Sequence, residues 1–258
     1  MLKVKVNEVS IAYERRGKGM PLVLLHGYPL DHTIWEPVAA WLENDFDLIL
    51  PDLRGFGESD APKANYSMAD LADDLAGILD QAGIQKAAVA GHSMGGYAAL
   101  AFARAHPGRL LGLGLVSSQS LADTPERKTG RYQEAEGILA RGVREVAEGM
   151  SVKLTAAPGL QARMKELILR QSPVGLADAL RAMADRPDST QLLSGFDLPL
   201  VLVHGLADTL IPIERARDVK TARPRAHLTE IPDAGHLAMM EAPQITAEAL
   251  QKLTERVP

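Results

Sequence analysis

The chain has 258 residues, 46% of them hydrophobic and 24% charged, with 28 Lys and Arg against 33 Asp and Glu and a formal net charge of −5. At about 150 residues per domain this is one large domain or two small ones, long enough to bury a core without staples. Mild acidity argues against a nucleic-acid binder, whose phosphate contacts need a clustered basic face, and the Lys and Arg are scattered among acids. The absence of cysteine removes disulfides, thiolate metal sites and cysteine nucleophiles together.

Met1 to Val6 alternates charged with apolar side chains and lacks the apolar run of a secretory signal. No apolar stretch reaches the ~18–20 residues of a membrane helix, so a cytoplasmic location and no membrane partner are expected. Val4 and Val6, then Val9, Ile11 and Tyr13, predict a small antiparallel hairpin with one wet face. Short continuous apolar runs follow at 22–25, 48–50, 87–90, 110–116 and 200–203, with a last strand at 226–231. Strands buried on both faces read this way, which predicts a mostly parallel sheet. Helices fall between them. The clearest is 67–82, where Met68, Leu71, Leu75, Ile78 and Leu79 form a stripe, Ser67 caps the start and Gly83 ends it. Others are expected at 33–43, 95–105, 214–221 and 245–256. The alternation predicts a doubly wound α/β domain with helices on both faces.

The rhythm breaks between Gln119 and Asp188, where helical patterns at 135–147, 161–171 and 176–184 are punctuated by Pro125, Pro158, Pro173 and Pro187. Residues 1–118 and 189–258 are therefore expected to form the core, and 119–188 a helical lid over the crevice at the carboxyl ends of the strands.

Gly91-His92-Ser93-Met94-Gly95 stands between a predicted strand and a predicted helix. Gly-x-Ser-x-Gly in that setting is a nucleophile elbow: the serine occupies a sharp strained turn, and small neighbours let it do so. A serine hydroxyl needs a base, and the chain order for this elbow is serine, acid, histidine. Asp208 lies just past the run at 200–203, and His236 follows the last strand on a Gly-containing loop. The N–H of Met94 supplies one oxyanion donor; the N–H of Tyr28, after the run at 22–25, is the candidate for the second.

These motifs, with Leu22-Val23-Leu24-Leu25-His26-Gly27 and Pro51-Asp52-Leu53-Arg54-Gly55-Phe56-Gly57-Glu58-Ser59, resemble the α/β-hydrolase superfamily in its lid-bearing serine esterase, lactonase and perhydrolase branch. The resemblance implies Ser93, Asp208 and His236 as the catalytic triad and Tyr28 and Met94 as oxyanion donors. It implies a carboxylic ester hydrolase acting on small-molecule esters or lactones with no cofactor or metal. Ser93 argues against the dehalogenases and most epoxide hydrolases of the fold, which carry Asp there. Perhydrolase chemistry, carbon–carbon bond hydrolysis and a ligand receptor of the same fold stay open.

Blander readings stand beside each residue. Ser93 as a plain helix-start serine does not account for the flanking glycines. Asp208 also suits a turn or helix cap. His26 and His204 read as structural histidines at strand ends, and His92 points away from the nucleophile at an elbow. Asp52-Leu53-Arg54-Gly55 reads as a loop held by an internal ion pair, no His, Asp or Glu group has metal spacing, and Trp35 reads as core. The scarcity of aromatics in 119–188, where Tyr132 stands alone, favours small or aliphatic acyl groups.

Overall fold

The computed structural model describes residues 1–6, 8–61 and 64–255. Strands β1 (Leu2–Val6) and β2 (Val9–Gly17) form the expected antiparallel hairpin, and burial alternates along β1. β2 runs on past Tyr13 and pairs antiparallel with β4 (Phe46–Pro51). All later pairings are parallel, through β3 (Met20–Leu25), β5 (Ala87–His92), β6 (Leu110–Val116), β7 (Leu200–Gly205) and β8 (His227–Ile231). The order across the sheet is β1-β2-β4-β3-β5-β6-β7-β8. Every residue of β5 and β7 is buried, as the unbroken apolar runs require.

Helices α1 (Glu36–Leu42), α2 (Met68–Gln81) and α3 (Met94–Ala105) follow β3, β4 and β5. α2 starts with a full capping box, Ser67 with Asp70. The helix expected at 33–43 is instead a 3-10 turn (His32–Trp35) running into α1, because the Asp31 side chain caps at Thr33 and Pro37 sits in the first turn of α1. Trp35 is fully buried.

Between β6 and β7 lie α4 (Pro125–Arg141), α5 (Arg144–Leu154), α6 (Pro158–Leu169), α7 (Pro173–Ala184) and the short α8 (Thr190–Ser194). The single helix expected at 135–147 is two: Gly142 at φ 81 ends α4 before α5 begins, a conformation open to glycine at no steric cost. α4 also begins ten residues earlier than its apolar pattern indicates, at Pro125 behind the Thr124 cap, since its first turns are polar and exposed. α4 packs along α7 and α5 along α6. The neck closes where the Ser189 N–H donates to the Ser120 carbonyl at 2.8 Å. Ile138, Leu154, Leu167 and Leu176 join the same hydrophobic core as the sheet.

The chain ends with α9 (Glu214–Ala222), α10 (Ala238–Glu241) and α11 (Pro243–Gln251). A 3-10 turn at Lys252–Thr254 replaces the end of the helix expected at 245–256, whose last residue lies outside the described residues. The loop after β4 also differs from expectation. Arg54 forms a buried bidentate pair with Asp74 of α2 (2.6 Å to Oδ2), while Asp52 accepts from His32 (2.6 Å) and from the Glu58 N–H (2.9 Å). The loop is therefore tied outward to α2 and to the 3-10 turn, and Arg54 pairs with Asp74 rather than with Asp52.

Candidate active site

From β3 the chain steps to β4 on one side and then returns to β5 on the other, so the strand order reverses at the β3–β5 seam. Open α/β sheets bind ligands at the carboxyl ends of such a seam. Leu25 stands opposite Gly91 in the register. That brings Tyr28, three residues past Leu25, beside Ser93, two past Gly91. Likewise Gly205 pairs with Ile231, so Asp208 and His236 leave adjacent strand ends on the same edge.

Ser93 has φ 50 and ψ −112, a region costing a non-glycine residue about 1–3 kcal/mol. Glycine neighbours permit it. A Cβ on Gly91 would strike the Gly95 carbonyl, and one on Gly95 would meet the Leu25 carbonyl and, at 2.6 Å, that of His26. The Ser93 N–H donates to the Val116 carbonyl (2.9 Å) and its carbonyl accepts from the Ser118 hydroxyl (2.8 Å), which pins the turn to β6.

Asp208 and His236 are joined: Nδ1 of His236 donates to Oδ2 of Asp208 at 2.7 Å. Oδ1 of Asp208 accepts the N–H groups of Leu210 (2.9 Å) and Ile211 (3.0 Å). The capping role and the histidine contact thus coexist, one per carboxylate oxygen. Burial pushes this carboxyl upward, but hydrogen bonds from His204 and His236, the charge of His236 and the Ile211 N–H outweigh it. The group is held well below the usual carboxylate range. His236 and Ser93 both line one cavity of about 410 Å³, and no hydrogen bond joins them among the described residues. Catalytic hydrogen bonds are often long or absent before substrate enters. Tyr28 and Met94 are both buried, and neither amide N–H donates to another group among the described residues.

Three further buried histidines, His26, His204 and His92, have structural partners. His26 accepts the Leu53 N–H at 2.9 Å and packs edge-on to Phe56. His204 donates through Nε2 to the Ile211 carbonyl at 2.7 Å and stands 3.4 Å from Oδ2 of Asp208, bracing the turn that presents the acid. Its spacing four residues before Asp208 was the available signal. His92 donates through Nε2 to the His236 carbonyl at 2.9 Å; burial, then the neighbouring His236, hold its pKa well below the ordinary value. The adjacent Asp31 and His32 meet Asp52 with ligand atoms within 4.8 Å of one another, a cluster the spacing of the three did not announce. Their atoms are already engaged, Asp31 with Thr33 and Asp52 with His32 and Glu58.

Sequence reasoning also missed what the inserted helices contribute. The Leu154 carbonyl at the end of α5 accepts the His236 N–H at 3.1 Å. Glu241 holds the Gly235 N–H (2.8 Å) and the Thr155 hydroxyl, linking the His236 loop to the insertion. The cavity wall carries Arg127, Arg131, Glu134 and Lys153 from α4 and α5. Tyr132 instead donates its hydroxyl to Asp185 at 2.6 Å.

Among the described residues, no helix is long and apolar enough to cross a membrane. A sequence profile of the family described as alpha/beta hydrolase fold matches residues 20–243. The chain is 32% identical over 234 residues to a dihydrolipoyllysine-residue acetyltransferase component of the acetoin cleaving system from Pseudomonas putida; 87% of this chain aligns and it spans 60% of that relative's length. An esterase structure from Thermogutta terrifontis, with malate bound, superposes at TM-score 0.93 with 37% identity, covering 97% of this chain and 96% of that one. The enol-lactonase from Burkholderia xenovorans LB400 shares the fold at TM-score 0.90 with 24% identity, over 98% of this chain and 100% of that one. With the profile spanning most of its length and the same sheet beneath the motifs, the chain belongs to the alpha/beta hydrolase fold family.

Proposed function

We propose that the protein is a serine hydrolase of carboxylic esters or lactones, working through an acyl-enzyme. The observation that carries this reading is the 2.7 Å bond from His236 to a buried Asp208, with His236 and the strained Ser93 opening onto one cavity. Similarity to an esterase at 37% identity supports the substrate class.

His236 takes the Ser93 proton on Nε2 as Oγ attacks the ester carbonyl. Asp208 keeps Nδ1 protonated and stabilises the imidazolium, while the Tyr28 and Met94 amides receive the oxyanion. The tetrahedral adduct collapses, the C–O bond breaks and His236 protonates the leaving alcohol. Water repeats the sequence on the acyl-Ser93, releasing the acid and restoring the hydroxyl. A single oxyanion donor is worth ~3–4 kcal/mol in such sites. Residues 119–188 act as the lid over a core of 1–118 and 189–258, and ties from Leu154 and Glu241 to the His236 loop couple lid to base.

A panel of p-nitrophenyl esters and acyl lactones, including N-acyl homoserine lactones, tests the reading with Ser93→Ala as control. Wild-type turnover should fall by roughly 10⁶ in the variant. Retention of even a tenth of the rate removes Ser93 as nucleophile, and tight ligand binding with kcat far below ~1 s⁻¹ on every ester and lactone points to a receptor.

A further inference from the structure

The cavity wall beside Ser93 carries six charged side chains. Arg127, Arg131, Lys153 and Arg215 face it, against Asp123 and Glu134. Four cations against two carboxylates give a positive cavity in a chain whose net charge is −5. Asp123 is spoken for, since it bridges Arg131 and Arg186, the latter at 2.8 Å. Arg127 and Lys153 make no side-chain hydrogen bond or ion pair among the described residues, and Arg215 reaches only Asp218, at 3.9 Å. Arg127, Arg131 and Glu134 lie four and three residues apart on α4, hence on one helix face.

A second, independent observation points to a ligand. Tyr28 is 6% exposed, lines the same cavity, and its hydroxyl has no hydrogen-bond partner. An orphaned buried hydroxyl costs about 1–3 kcal/mol, so such groups are ordinarily paired, and this one faces a cavity from which a partner can reach it. Tyr28 shares this cavity wall with Arg127, Arg131 and Glu134 of α4. A hydroxyl donor beside uncommitted guanidinium and ammonium groups matches a carboxylate.

Resting on the serine-hydrolase reading above, we propose that the preferred substrates are esters or lactones that also bear a free carboxylate, bound by the Tyr28 hydroxyl with Arg127 and Lys153 while the ester carbonyl meets Ser93. The carboxylate belongs either to the acyl group, as in a monoester of a dicarboxylic acid, or to the alcohol, as in an O-acyl hydroxy acid. Arg127 and Lys153 are exposed side chains on the cavity wall, so their charge steers an anion inward and salt screens it.

The test compares kcat/KM for matched pairs. On the acyl side, p-nitrophenyl hemiglutarate is set against p-nitrophenyl pentanoate; on the alcohol side, 4-acetoxybutanoate against butyl acetate. One pair should favour the anion by about tenfold or more at low salt, with the advantage shrinking in high sodium chloride. Arg127→Gln with Lys153→Gln should cut that ratio about tenfold, mainly through KM. Tyr28→Phe keeps the backbone N–H and should lower the ratio severalfold, yet leave the thermal midpoint of the free protein unchanged or higher, since it removes an unpaired hydroxyl. A ratio at or below one in both pairs, a preference for an amine-bearing ester, or ratios that the variants do not move would overturn the proposal. Those outcomes leave Ser93-dependent hydrolysis of the neutral esters standing, whereas turnover by Ser93→Ala removes the reading beneath it.

Discussion

At Gly91 and Gly95 the space available decides the local chemistry. Each glycine lets a backbone carbonyl pass where a methyl group would sit, and the Ser93 turn depends on both. Gly95→Ala is expected to destabilise the protein by several kcal/mol, about 3 or more, because the obstacles are the Leu25 and His26 backbone rather than a flexible side chain. Chemical denaturation checks this, and a variant within ~0.5 kcal/mol of wild type would show that β3 can move. Asp208 serves two masters, one oxygen for the Leu210 and Ile211 amides and one for His236. Asp208→Asn keeps the shape but presents an amide where an acceptor is needed, so kcat on a p-nitrophenyl ester should fall about 10⁴-fold in the proposed relay. Because its carboxyl is held well below the usual range, Asp208 remains ionised through mildly acidic conditions, and loss of activity above about pH 5 is not expected to come from it.

Among the elements, the inserted helices and the His236 loop depend on each other. The Leu154 carbonyl and the Glu241 carboxylate grip consecutive N–H groups of Gly235 and His236. Glu241→Ala leaves the Gly235 N–H and the Thr155 hydroxyl unpaired. It should cost about 1–3 kcal/mol and lower kcat more than it raises KM, because base placement rather than substrate contact is lost. Parallel denaturation and steady-state kinetics on one ester would separate the two effects. The helix pattern shows why part of this region was hidden. α2 reads clearly from Ser67 onward because one apolar face meets the sheet. The start of α4 is polar on all sides, and Gly142 lies inside an otherwise continuous helical period, so neither the beginning nor the break stands out in hydrophobic spacing.

Over the whole molecule, histidine environments set the response to pH. Burial, despite the Asp52 charge, keeps His26 below its ordinary pKa, and burial with the neighbouring His236 does the same for His92. Both bind fewer protons folded than unfolded, so their contribution to stability is present above about pH 6.5 and lost as pH falls. His32 runs the other way. Burial lowers its pKa, but the hydrogen bond and charge of Asp52 outweigh burial and raise it, and Asp52 is correspondingly lowered by His32. The stability from this pair is complete between roughly pH 4 and 6.5 and fades as pH rises through the folded value of His32. Thermal midpoints of wild type and His32→Gln across that range should differ most near pH 5.5 and converge toward about pH 9. A gap that widens with pH would reverse the assignment.

Motif and period alone determined the α/β alternation, the parallel centre of the sheet, the helical interruption after Val116 and the elbow around Ser93. All are local: a buried strand must be apolar throughout, and a strained turn must be flanked by glycine within two residues. Asp208 and His236 were legible because each follows a strand by a few residues, so chain order stands in for position. Tertiary structure alone decided what those residues touch. His204 braces the acid, His92 holds the His236 carbonyl, and Arg54 reaches Asp74 rather than Asp52. It also turned Arg127, Arg131 and Lys153 toward the cavity, where the scarcity of aromatics had favoured small or aliphatic acyl groups. A charged side chain on an amphipathic helix carries the same sequence pattern whether it faces water or a cleft; only the packing of α4 and α5 against the core selects between them.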